Sequence, residues 1–182
     1  MSIARLTDAI EDILSFSKDA LVSTTYDDDY SIRGKKFFYE NTLSFTGNET
    51  KRFLFDMSKC ECDIIFAPIS GTAIGEKVVA IIYEDTDYTG GTELQFYNTN
   101  RNHLDVYNPV VTVGASGSDT GTQLRKFQFP AASTGANINP ASGISNLAMI
   151  LNNNKKYLIT LTSADTTEFD IRADFYDPHG GI

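Results

Sequence analysis

The side chains that could do chemistry are few, and their spacing tests each chemistry in turn. Asp85, Asp87 and Thr89 stand at alternate positions before Gly90. Oxygen ligands so spaced ahead of a glycine open an EF-hand calcium loop, but the twelfth position, which should be a bidentate Glu, is Phe96. Glu84 and Glu93 are the further oxygens that a calcium site of another kind would draw on. The residue types fit better a polar hairpin loop whose Asp and Thr side chains bond their own backbone. Asp27, Asp28 and Asp29 are adjacent like charges without a glycine turn, which reads as a solvated linker. Cys60 and Cys62 form C-x-C. On a strand both point to one face, poor geometry for a disulfide, and no second pair or nearby His completes a zinc site. They read as small buried apolar residues. His103 and His179 have no Ser or Cys in a G-x-S-x-G setting, and no phosphate-binding or H-E-x-x-H motif is present. No catalytic, cofactor-binding or metal-ligating residue is therefore assigned, and the chain is expected not to be an enzyme.

The totals narrow the classes further. At 182 residues the chain is long enough for one domain with a substantial core. A net charge of −9 argues against nucleic acid, whose phosphates are bound by Lys and Arg. No run of about 18 apolar residues suggests a membrane helix. The first residues, MSIARLTDAIEDI, lack the pattern of a signal peptide, so synthesis in the cytoplasm is expected.

Hydrophobic periodicity divides the chain in two. Ile3, Leu6, Ile10, Ile13 and Leu14 recur at helical spacing, which predicts an amphipathic helix over residues 3–20. Residues 1–30 are thus read as helix and acidic linker, and residues 31–182 as a β-sandwich domain. In the latter, Phe37, Tyr39, Leu43 and Phe45 share one parity, followed by a turn at Gly47-Asn48. Phe53, Phe55 and Met57 oppose Arg52, Leu54 and Asp56; residues 60–67 alternate likewise with Cys60, Cys62, Ile64 and Phe66 inward. Residues 78–83 are apolar at both parities, which predicts a strand covered on both sides. Short strands are expected over 110–113 and 123–129, with a further one at 147–151. Tyr157, Ile159 and Leu161 alternate with Thr160 and Thr162; Phe169, Ile171, Ala173 and Phe175 alternate with Glu168, Asp170, Arg172 and Asp174. Residues 163–167 are expected to join these two strands as a hairpin. The fold class predicted is all-β: a two-sheet antiparallel sandwich, jelly-roll-like, with an N-terminal α-helix.

Several of these stretches resemble a known family. Gly91-Thr92-Glu93-Leu94, the corner Asn98-Thr99-Asn100-Arg101-Asn102, the turn Asp119-Thr120-Gly121-Thr122, the strand around Tyr157-Leu158-Ile159 and the run from Phe169 to Tyr176 span roughly the C-terminal two thirds. Together they resemble small structural proteins of tailed-bacteriophage virions, of the head decoration (cement) type. In that family the corner runs asparagine-arginine-asparagine followed by serines; here His103-Leu104 takes the serines' place. The resemblance implies a β-sandwich bound to the outer face of the capsid lattice, with the major capsid protein and copies of itself, as a trimer, for partners. Location on the virion and synthesis in the host cytoplasm follow from it.

Two further classes are weighed beside it: a neck or tail adaptor, and a tail-associated carbohydrate-binding module that would stack sugars on exposed Tyr30, Tyr88 or Tyr97. The absence of Trp weighs against the module. The contacts expected to matter are the stripe Ile3, Leu6, Ile10, Ile13 and Leu14, and the small-residue loop at 130–143, represented by Pro130, Asn137 and Pro140. A long segment without periodicity is often interfacial.

Overall fold

In the computed structural model, the described residues are 35–58, 60, 63–66, 69–100, 102, 109–132 and 149–176. The stripe Ile3, Leu6, Ile10, Ile13 and Leu14, the acidic linker, Tyr30, Cys62, His103, His179, Asn137 and Pro140 lie outside them, as does the expected boundary between residues 30 and 31.

Alternation of apolar and polar side chains sets the strands. They are β1 (Lys36–Phe45), β2 (Glu49–Asp56), β3 (Ile64–Phe66), β4 (Ser70–Ile74), β5 (Val78–Glu84), β6 (Thr92–Glu93), β7 (Tyr97–Asn98), β8 (Val110–Val113), β9 (Thr122–Phe129), β10 (Ala131–Ala132), β11 (Met149–Leu151), β12 (Lys156–Ser163) and β13 (Thr167–Tyr176). Along β13, buried Thr167, Phe169, Ile171, Ala173 and Phe175 alternate with more exposed Glu168, Asp170, Arg172 and Asp174. A one-residue slip would turn every one of those side chains to the wrong face, so the pattern fixes the register.

The strands form two sheets. One has the order β10-β4-β13-β1-β7, with β3 also paired to β13 and β11 to β3; the other runs β6-β8-β2-β12-β5-β9. Every pairing is antiparallel except the two-residue contact of β10 with β4. The sheets stack as a sandwich, and aromatic rings bridge them. Phe55 of β2 lies 5.7 Å from Phe66 of β3 and 5.5 Å from Phe175 of β13, centroid to centroid. Phe129 of β9 meets Phe169 of β13 at 4.8 Å. Full burial of one such side chain contributes about 1.5–3 kcal/mol. Cys60 is buried in this core.

Three expectations are corrected. Residues 163–167 are not a hairpin, because β12 and β13 belong to different sheets: β12 pairs with β2 and β5, β13 with β1, β3 and β4. The segment is a corner between layers. Ser163 Oγ donates to Asp165 O at 2.8 Å, and Thr167 Oγ1 accepts from Glu76 N at 3.0 Å. A second crossover at this end, between β1 and β2, is pinned to it. Asn48, at φ 57°, donates its N–H to Ala164 O at 3.1 Å. Among the described residues of 60–67 the strand is Ile64–Phe66, with Cys60 and Asp63 outside it, and β13 pairs first with β4 and then with β3. Finally, β5 is buried only at Val78, Ala80 and Ile82; Val79, Ile81 and Tyr83 on its other side are half-buried.

Candidate functional site

The departure from simple alternation is on the outer face of the β12 sheet. Leu54 of β2 and Leu158 of β12 are cross-strand partners that point away from the main core, yet both are buried. Apolar side chains on an outer face stay buried only if something covers them. Tyr88 and Ala115 do so, with Tyr83 packed against the same cluster. They belong to two loops, residues 85–91 and 114–121, which fold back over the sheet as a cap. Tyr88 is 8% exposed, so the expectation of an exposed sugar-stacking ring there is corrected. Tyr97, at 42%, is exposed as expected.

Hydrogen bonds join the two loops along their length. Thr89 and Ser116 exchange backbone bonds of 3.0 and 3.1 Å. Asp87 N donates to Asp119 O at 3.2 Å, and Thr86 Oγ1 donates to the same carbonyl at 3.0 Å. In return the Asp87 carboxylate takes Ser118 Oγ–H at 2.6 Å, Ser118 N–H at 3.0 Å and Asp119 N–H at 2.9 Å. The Ser118 hydroxyl, then the Asp119 amide, hold the Asp87 carboxyl below its ordinary value. Bonds to the charged form favour that form. Two glycines allow the close approach. Gly121 sits at φ +84°, and a Cβ there would lie 2.2 Å from Glu84 O; Gly91 sits at φ +97°, and its Cβ would lie 2.7 Å from Val113 O. Only glycine tolerates both the positive φ and the backbone contact.

The loop that opens like a calcium site is thus organised differently. Asp85, at φ 61°, turns to Lys155, whose Nζ is 3.0 Å from Asp85 Oδ2 and 2.6 Å from Glu84 Oε1. These two carboxylates raise the Lys155 ammonium above its ordinary value, Glu84 first. Asp87 turns the opposite way, to residues 118 and 119. Among the described residues no three His, Cys, Asp or Glu side chains converge as a metal site requires. Beneath Lys155, the Tyr157 hydroxyl accepts Asn152 N–H at 2.9 Å, and burial pushes its own titration up to about 12.

Beside the cap runs an open groove of about 290 Å³. Leu54 and Val110 form its floor; Asp56, Glu93, Lys156 and Thr89 stand around it. Asp56 and Lys156 are 3.7 Å apart. Of the residues expected to make contacts, Pro130 is exposed between β9 and β10, where the chain passes from one sheet to the other. The cap itself escaped the sequence reading. Its signal was present: Leu54 stands in the polar parity of β2, and Leu158 interrupts the alternation of β12.

Three of the five stretches that resemble the decoration proteins meet in this region; Asn98 pairs with Phe37 of β1, and residues 169–176 lie in β13, on the other sheet. Thr92 and Glu93 pair with Val113 and Thr112, Asp119 and Gly121 close on residues 84–87, and Leu158 is the floor of the cap. Comparison with protein families, with characterised proteins and with solved structures gives no match.

Proposed function

We propose that this chain is a bacteriophage virion structural protein, a decoration or cement protein that binds the outer head surface and stabilises the capsid lattice, without enzymatic activity. The observation that carries the reading is that three of the five resembling stretches, residues 91–94, 119–122 and the β12 strand, far apart in sequence, share one cap and its floor, while the corner at Asn98 and the β13 run lie on the other sheet.

The strand pairing supports the same reading. β1 lies beside β13, β13 beside β3 and β4, and β3 beside β11; β2 lies beside β12, β12 beside β5, and β5 beside β9. We read this as a jelly roll, an architecture that recurs in viral capsid proteins and in lectins. The lectin branch keeps a second reading open, a tail-associated carbohydrate-binding module, and exposed Tyr97, 6.0 Å from the Phe38 ring, is the residue that favours it.

Counting copies per virion by quantitative mass spectrometry tests the proposal. Decoration of the head requires hundreds of copies; a few to a dozen would overturn it in favour of a neck or tail adaptor. Binding of the purified chain to capsids stripped of it, with a gain in capsid melting temperature, is the second expected result. Glycan binding lost on Tyr97→Ala would move the assignment to the module.

A further inference from the structure

The outer face of the β13 sheet and the uncapped rows of the β12-sheet face differ in charge. On the β13 sheet, Glu40, Glu168 and Asp170 are exposed. Their cross-strand partners are Arg172, Ser44 and Thr42. Arg172 is held by Asp174, at 3.2 Å, and lies 5.6 Å from the Phe38 ring centre. Lys36, whose Nζ lies 5.5 Å from the Tyr176 ring centre, shares this side of β1, and among the described residues the carboxylates Glu40, Glu168, Asp170 and Asp174 outnumber it and Arg172.

The β12 sheet differs where the cap leaves it open. One cross-strand row there reads Arg52, Thr160, Ile81, Lys126. The next contains Thr50, Thr162 and Val79, with Thr50 and Thr162 hydroxyls 2.9 Å apart. Neither row contains a carboxylate. It is a β-branched surface, half-buried at Thr50, Thr162, Val79 and Ile81 and buried at Thr160, flanked by Arg52 and exposed Lys126 on a chain whose net charge is −9. Two such acidic molecules repel in most orientations, and approach of an acidic face to this one is the orientation that attracts.

We propose that the exposed β13-sheet face of one copy seats on the uncapped β12-sheet face of another, Glu168 and Asp170 meeting Lys126 and Arg52. Because the two patches differ, the contact is heterologous, and repetition either closes a ring or extends a fibre. The two faces carry these charges whether or not the chain decorates a virion.

The full chain is the material for the test. Light scattering at low salt is expected to give a mass above the monomer, falling toward the monomer in 1 M salt, where the screening length is about 3 Å. The double variant Arg52→Glu, Lys126→Glu is expected to be monomeric, and so is Glu168→Lys, Asp170→Lys. Mixing the two variants is expected to restore assembly, since each then offers the sign that the other lacks. Zero-length carbodiimide coupling of the unmodified chain provides a measurement independent of any variant: intermolecular bonds should join Lys126 to Glu168 or Asp170. A wild-type monomer at low salt, variants that assemble like wild type, a mixture that stays monomeric, or cross-links from Lys126 to other carboxylates would each overturn the proposal.

Discussion

The described residues form two apolar cores of different character. The large one lies between the sheets and draws on β1–β5, β8, β9 and β11–β13. The small one, Leu54, Leu158, Tyr88 and Ala115, lies under two loops on an outer face. Strand registers many residues long hold the first together; β1 and β13 alone are paired from Lys36↔Tyr176 to Phe45↔Thr167. A short bridge and the bonds of one carboxylate hold the second. The difference predicts different modes of failure. Loss of the large core unfolds the domain, whereas loss of the small one opens a loop pair and leaves the sheets standing. Local opening of this kind costs less than global unfolding.

The largest effect is expected from Ile171→Asp. Ile171 is 3% exposed and faces the main core. A carboxylate there is buried without a partner, which costs several kcal/mol. Urea denaturation should show a midpoint far below that of wild type, or no cooperative transition. A variant that melts like wild type would mean that β13 does not carry the core.

Leu158→Ala comes next. Leu158 is fully buried, but on the cap side. Truncating a buried Leu costs about 2–5 kcal/mol, depending on how well the site collapses. Two loops can close on the gap more easily than two sheets can, so the lower half of that range is expected. Amide exchange should speed at Thr89 and Ser116 and stay slow at Phe169 and Ile171. Uniform acceleration would show that the two cores are one cooperative unit.

The same contrast explains what the sequence revealed. Phe169, Ile171, Ala173 and Phe175 announced the main core because their period of two is local and needs no knowledge of the partner strand. Parity says which face a side chain takes, but not which sheet its strand joins. That is why residues 163–167 read as a hairpin when they cross between layers. β6, β7 and β10, at two residues each, are too short to leave a period. The cap depended on a pairing invisible along the chain. Asp87 and Ser118, 31 residues apart, face each other only after both loops have folded back. Read alone, Asp87 fitted a polar hairpin loop bonding its own backbone, and Tyr88 a surface ring.

The smallest effect, and the most selective, concerns Asp87 and pH. Its carboxyl titrates below the ordinary 3.8 because the folded cap donates to the ionised form. A lowered folded value means that the contribution is complete above the unfolded value and is lost as pH falls from 3.8 through the folded one. The cap is therefore expected to loosen on acidification while the main core persists. Amide protection at Ser118 and Asp119, corrected for the intrinsic exchange rate, should decline over that interval. Asp87→Asn removes the charge but keeps an acceptor oxygen, so protection in the variant should be lower at neutral pH and nearly flat with acidification. Glu49 is also held below its ordinary value, by Lys51 and then by the Thr46 amide, and it contributes acid sensitivity at the far end of β2. Its effect is common to wild type and variant, so the difference between their pH profiles isolates the cap. Identical profiles would mean that Asp87 does not fasten the two loops, and that Tyr88 and Leu158 hold the cap by apolar contact alone.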